Sequence, residues 1–146
     1  MDRREDILVR LLAVLKTVGA ATVERNLQVA DDGNFPALQM MDGDEEADDS
    51  PFGRARPANA PNMIAMTPHV HILLGEVPED VGSELNRWRA RLLKAVLNDT
   101  ALGNLVTTNG EIRYEALAVS LQRGRQIIGE MGIVFTFVYP LKPAEL

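Results

Sequence analysis

IGEMGIVFTFVY, residues 128–139, alternates. Side chains two residues apart share one face of an extended chain, so Met131, Ile133, Phe135, Phe137 and Tyr139 form a single apolar row. Pro140 and Pro143 end the run. Just upstream lies a second stretch of similar length, EIRYEALAVSL, residues 111–121, which opens after the turn pair Asn109-Gly110. Gln122-Arg123-Gly124-Arg125-Gln126 joins the two. The pattern predicts a long antiparallel hairpin with one side in a core.

Two segments have the spacing to cover that side. Ile7, Leu8, Leu11, Leu12, Leu15 and Val18 recur at helical intervals. Asp2 is placed to cap this helix, Glu5 follows in a loose capping-box position, and Gly19 stops it. The predicted helix runs from about Asp2 to Val18. Pro78, Glu79 and Asp80 suit the first turn of another, and Val81, Leu85, Trp88, Leu92 and Val96 continue its apolar stripe to about Asn98. Trp88 falls on that stripe and is read as core. A short helical turn follows at Thr100–Val106.

Between the helices, residues 21–27 and 35–41 read as strands, with Pro36 at the start of the second. Residues 63–76, MIAMTPHVHILLGE, contain a third, in which Val70, Ile72 and Leu74 face one way and His69, His71 and Leu73 the other. The order is α-β-β-β-α-β-β. The expected class is α+β: a mostly antiparallel sheet, two helices packed on one face, a long acidic loop and a β-hairpin. There is no internal repeat, and 146 residues make one domain, 1–146, with an extended loop at about 42–62.

Composition narrows the function. Apolar residues at 46% are enough for a core, and a net charge of −6 argues against non-specific binding to nucleic acid. With no cysteine, thiolate catalysis, disulfides and cysteine zinc sites are excluded. Charges at Asp2, Glu5, Asp6 and Arg10 break any signal-peptide pattern, and no apolar run approaches the ~20 residues of a membrane span. The reading is a soluble domain made inside the cell, with no membrane contact.

The densest charge is MDGDEEADDSPFGRARPANAPN, residues 41–62. Asp42, Asp44, Glu46 and Asp48 resemble alternate oxygen ligands for calcium. The EF-hand spacing fails, because Ala47 stands where a Gly and Gly53 where a Glu is needed. A metal-dependent nuclease would use Asp42, Asp44 or Glu46 with the histidines, but it needs carboxylates from separate elements and basic contacts beyond Arg54 and Arg56. His69 and His71 share a strand face and lack an obvious third metal ligand. No serine sits in a nucleophile elbow, and Gly124 and Gly129 lack the Lys-Ser/Thr ending of a phosphate loop. The Arg123-Gly124-Arg125 tip suits a carboxylate or phosphate, or a rim contact. Met40, Met41, Met63 and Met66 flank the acidic run as core filler or as an adaptable contact surface. No catalytic set, metal site or cofactor site is expected. The candidate residues are contacts to other subunits or partners: Asp42, Asp44, Glu45, Glu46, Asp48, Asp49, Arg54, Arg56, Arg123 and Arg125.

Six stretches taken together resemble one family. REDILVRLLAVL, DGDEEAD, MTPHVHILLGE, LNRWRARLLKAVLND, NGEIRYEA and GEMGIVFTFVYPLKPAEL, in that order, are similar to the tail terminator (tail completion) proteins of long-tailed bacteriophages. The resemblance runs over nearly the whole chain. It implies a structural virion protein with no catalytic residues and no cofactor. It implies a six-fold homo-oligomeric ring, assembled in the host cytoplasm, that caps the head-proximal end of the tail tube and stops its growth. The implied partners are the tail tube protein and the head–tail connector or stopper, with DNA passing through the lumen without specific binding. Acids lining a lumen would repel phosphates and keep that passage fast. The alternatives are a head-closing stopper and, from another class, the small metal-dependent nuclease.

Overall fold

The computed structural model describes residues 2–26, 35–48, 57–75, 78–122 and 128–146. Three helices are present, α1 (Arg3–Lys16), α2 (Pro78–Leu97) and α3 (Thr100–Val106), with a closing 3-10 turn at Pro143–Glu145. Seven strand segments form one sheet: β1 (Thr22–Arg25), β2 (Ala37–Met41), β3 (Glu45–Ala47), β4 (Asn62–Met66), β5 (His69–Leu74), β6 (Glu111–Gln122) and β7 (Ile128–Leu141). The class is α+β with a mostly antiparallel sheet; only β1 and β2 run parallel.

The order contains more strand segments than expected, and register explains why. β4 and β5 pair with β7 in one unbroken antiparallel register, from Ile64 opposite Tyr139 through Met66 opposite Phe137 and His69 opposite Val134 to Leu74 opposite Gly129. They are the single strand expected over 63–76. Pro68 interrupts its ladder of hydrogen bonds, having no N–H to donate, yet its carbonyl still accepts from Phe135 N–H at 3.1 Å.

β2 and β3 lie along the other side of this strand. Met41 stands opposite His69 and Glu45 opposite Met66, so Asp42, Gly43 and Asp44 face only Thr67 and Pro68. That extra residue is a β-bulge. Gly43 has φ +73°, and a Cβ there would run into the Thr67 carbonyl oxygen. The bulge therefore needs glycine on two counts. The segment expected as one loop over 42–62 thus divides: Glu45–Ala47 pairs with β4, and Asn62 already belongs to β4.

The helices cover one face. Ile7, Leu8, Leu11 and Leu15 of α1, Val81, Leu85, Trp88, Leu92 and Val96 of α2, and Leu102 and Val106 of α3 form one core with the alternate residues Leu38, Met40, Val70, Ile72, Met131, Ile133, Phe135, Phe137 and Tyr139. Asp2 caps α1, its carboxylate accepting from Arg4 N–H at 3.0 Å. Glu5 does not complete a capping box, because its carboxylate is taken by Arg25. Asp99 caps α3 through Leu102 N–H at 3.0 Å and also holds Arg10 of α1 at 2.6 and 2.9 Å, joining the two helices. Among the described residues, no helix is long and apolar enough to cross a membrane.

Candidate functional site

The acidic stretch separates into two sets with opposite roles. Asp42 and Glu45 face α1. Arg25, at the end of β1, donates to both oxygens of Asp42 at 2.8 and 2.9 Å and to both oxygens of Glu5 at 2.8 and 2.9 Å. One planar guanidinium thus spans β1, the bulge and the first turn of α1. The Asp42 N–H donates to the Asn26 side chain at 3.0 Å. Next along the chain, Arg4 donates to the Gly43 carbonyl at 2.9 Å and to Glu45 at 3.2 Å, and the Tyr139 hydroxyl donates to Glu45 at 2.9 Å.

The charges respond as this geometry requires. Hydrogen bonds from Arg25 hold the carboxyls of Asp42 and Glu5 below the usual range, against a smaller opposing effect of burial. Arg25 is correspondingly harder to deprotonate. Burial, reinforced by the hydrogen bond to Glu45, pushes the Tyr139 phenol up. Asp42, half-buried, and Glu45, exposed, are both already engaged by side chains of the same chain.

Asp44, Glu46 and Asp48 form the second set. All are exposed, and none forms an ion pair among the described residues. The backbone fixes where they stand: the Asp44 carbonyl accepts from Thr67 N–H and Asp48 N–H donates to the Met63 carbonyl, both at 2.9 Å. Asp49, Arg54, Arg56, Arg123 and Arg125 lie outside the described residues.

On the sheet face away from the helices, His69 and His71 stand with ring centroids 6.4 Å apart, as their alternation predicts. His71 Nδ1 lies 3.1 Å from a Glu130 oxygen. Among the described residues, no three His, Asp or Glu side chains gather to hold a metal ion. The four methionines also divide by face. Met40 and Met66 are fully buried in the core, and Met41 and Met63 are half-buried on the opposite side.

The feature that sequence reasoning passed over is the edge formed by β6. Among the described residues this strand pairs with β7 alone. Its charges sit at one end, where Arg113 bridges Glu111 and Glu115 at 3.1 and 3.2 Å beside a bulge between Tyr114 and Ala116. Beyond the bulge, Ala116 to Leu121 carries no charge at all. Leu117, Val119 and Leu121 on that stretch are 39%, 55% and 56% exposed. A run of uncharged residues at the end of a charged strand was the available signal.

The chain matches no protein-family model, and no curated protein matches it.

Proposed function

We propose that this chain is a structural virion protein. It forms a ring on the head-proximal end of a long-tailed phage's tail tube, stops tube growth and offers a surface to the head connector. The reading begins from the sequence resemblance. The observation that supports it is the β6 edge. Soluble proteins shield strand edges with charge, proline, brevity or cover, because unpaired N–H and C=O groups recruit other chains. An uncharged edge of this length, with three exposed apolar side chains beside it, fits a protein whose working state is an assembly.

Deleting the gene from its phage and imaging the lysate by electron microscopy tests this. Termination requires tails of excessive, uncontrolled length that carry no filled heads. Intact virions in normal numbers would overturn it.

A further inference from the structure

Most described cations already hold a carboxylate. The exceptions are Lys16, Arg89, Arg91 and Lys94. Arg89 belongs to the core margin, where it stacks on Tyr114. Arg91 and Lys94 stand where the segment following α1 meets α2, and Lys16 precedes that segment in the last turn of α1.

A groove of about 420 Å³ opens there, lined by Thr17, Val18, Arg91, Lys94, Ala95 and Asn98. Its apolar floor comes from Val18 and Ala95. Arg91 is fixed at its edge by stacking 4.5 Å over the Trp88 ring and by donating to the Val18 carbonyl at 3.3 Å. Neither contact neutralises its charge. Lys94 lies one turn further along α2, and Lys16 adjoins Thr17 in the last turn of α1. A cationic rim over an apolar floor, in a protein of net charge −6, is a surface for an acidic segment.

The same molecule carries such a segment. Asp44, Glu46 and Asp48 are exposed and free of ion pairs among the described residues, and they are held beside the N-terminal turn of α1 by the bonds from Arg4 to Gly43 and Glu45. The groove is at the other end of that helix. The 14 residues of α1 separate the two by roughly 21 Å at 1.5 Å per residue. One chain cannot close this contact on itself.

We infer that the acidic strand edge, residues 44–48 of one copy, docks on the Arg91–Lys94 groove of the next. Different patches meet in such a contact, so it is heterologous: it repeats head to tail, and closes into a ring when the rotation between copies permits. This inference rests on the ring reading above and names the joint between neighbours.

Because the chain has no cysteine, disulfide trapping tests the joint without background. Purified Glu46→Cys and Lys94→Cys proteins are mixed under mild oxidation, with Val9→Cys replacing Lys94→Cys as an exposed control. A heterodisulfide between positions 46 and 94, about tenfold above the control pair and suppressed as salt rises past about 0.5 M, is expected. Trapping no better than the control overturns the joint, and so does a dominant 94-to-94 homodisulfide, which means a two-fold contact. Charge reversal is the second measurement. Lys94→Glu should lower phage titre about tenfold or more, and Glu46→Lys in the same chain should restore it. Normal titre for Lys94→Glu, beside overlong tails in the gene deletion, would sink the joint and leave termination standing. A trapped 46-to-94 pair beside normal tails in the deletion would do the reverse.

Discussion

Along one margin of the sheet every exposed strand is short and charged. β1 has four residues ending in Glu24 and Arg25, and β3 has three, two of them glutamates. Arg25 and Arg4 tie this margin to α1 through Glu5, Asp42 and Glu45. Along the other margin, β6 runs for 12 residues with its charges confined to the first few. Among the described residues no side-chain bond fastens its outer half, where Leu117, Val119 and Leu121 stand exposed. One edge is shielded against further pairing and locked to the body. The other is left open over the length a partner strand would need.

The largest effect should come from breaking the locked margin at its bulge. Gly43→Ala places a methyl against the Thr67 carbonyl oxygen and forces a left-handed backbone on alanine. A loss of about 3 kcal/mol follows from the clash and the backbone strain together. Urea unfolding measures it, and a variant as stable as the parent would show that the bulge is not built this way.

An intermediate effect belongs to the open margin, and on a different observable. The double variant Val119→Lys with Leu121→Lys should move folding stability by no more than about 0.5 kcal/mol, since both side chains are already in water. It should lower the yield of completed virions about tenfold or more. A large loss of stability would mean these residues are packed after all. Full infectivity would leave the open edge without an assembly role.

The smallest effect tests the clasp itself. Arg25→Ala removes the partner of both Asp42 and Glu5, and a loss of about 1 kcal/mol at pH 7 is expected from the largely covered Asp42 pair. The sign with pH is definite. Both carboxyls titrate lower in the folded chain than in the unfolded one, so their stabilisation is present at neutral pH. It fades as pH falls below about 5, through their depressed pKa values. The gap in denaturation midpoint between parent and variant should therefore narrow progressively as pH falls from 7 through the carboxylate range. A constant gap from pH 7 to pH 3 would refute the clasp as the cause.

Sequence alone carried the parts of this fold that depend on local period. The row from Met131 to Tyr139, the α1 and α2 stripes, the Asp2 cap and the opposite facing of His71 and Ile72 all follow from spacing along one element. The bulge did not, because Asp42-Gly43-Asp44 looks like any acidic turn until Thr67 is known to lie against it. The division of the acids was hidden for the same reason. Asp42 differs from Asp44 only in facing Arg25, 17 residues away in sequence and brought near by the parallel pairing of β1 with β2. The groove needs the segment after α1 laid against α2, a relation between Val18 and Arg91, 73 residues apart. Local pattern says which face of an element is buried. It does not say which charges meet across elements.

β7 lies between β6 on one side and the β4 and β5 strand on the other, and it follows all of them in the chain. This inner strand, which pairs with β4, β5 and β6, is therefore the last of the described strands to leave the ribosome. Until it does, β4 and β5 have no partner on that side, β6 has none at all, and the apolar faces of α2 and α3 have little sheet to cover. β6 and β7 close locally as a hairpin, but every other pairing of β7 joins distant parts of the chain, which makes folding slow and exposes sticky surface meanwhile. A truncation anywhere before Ile128 removes the strand on which β4, β5 and β6 all pair, not merely a rim.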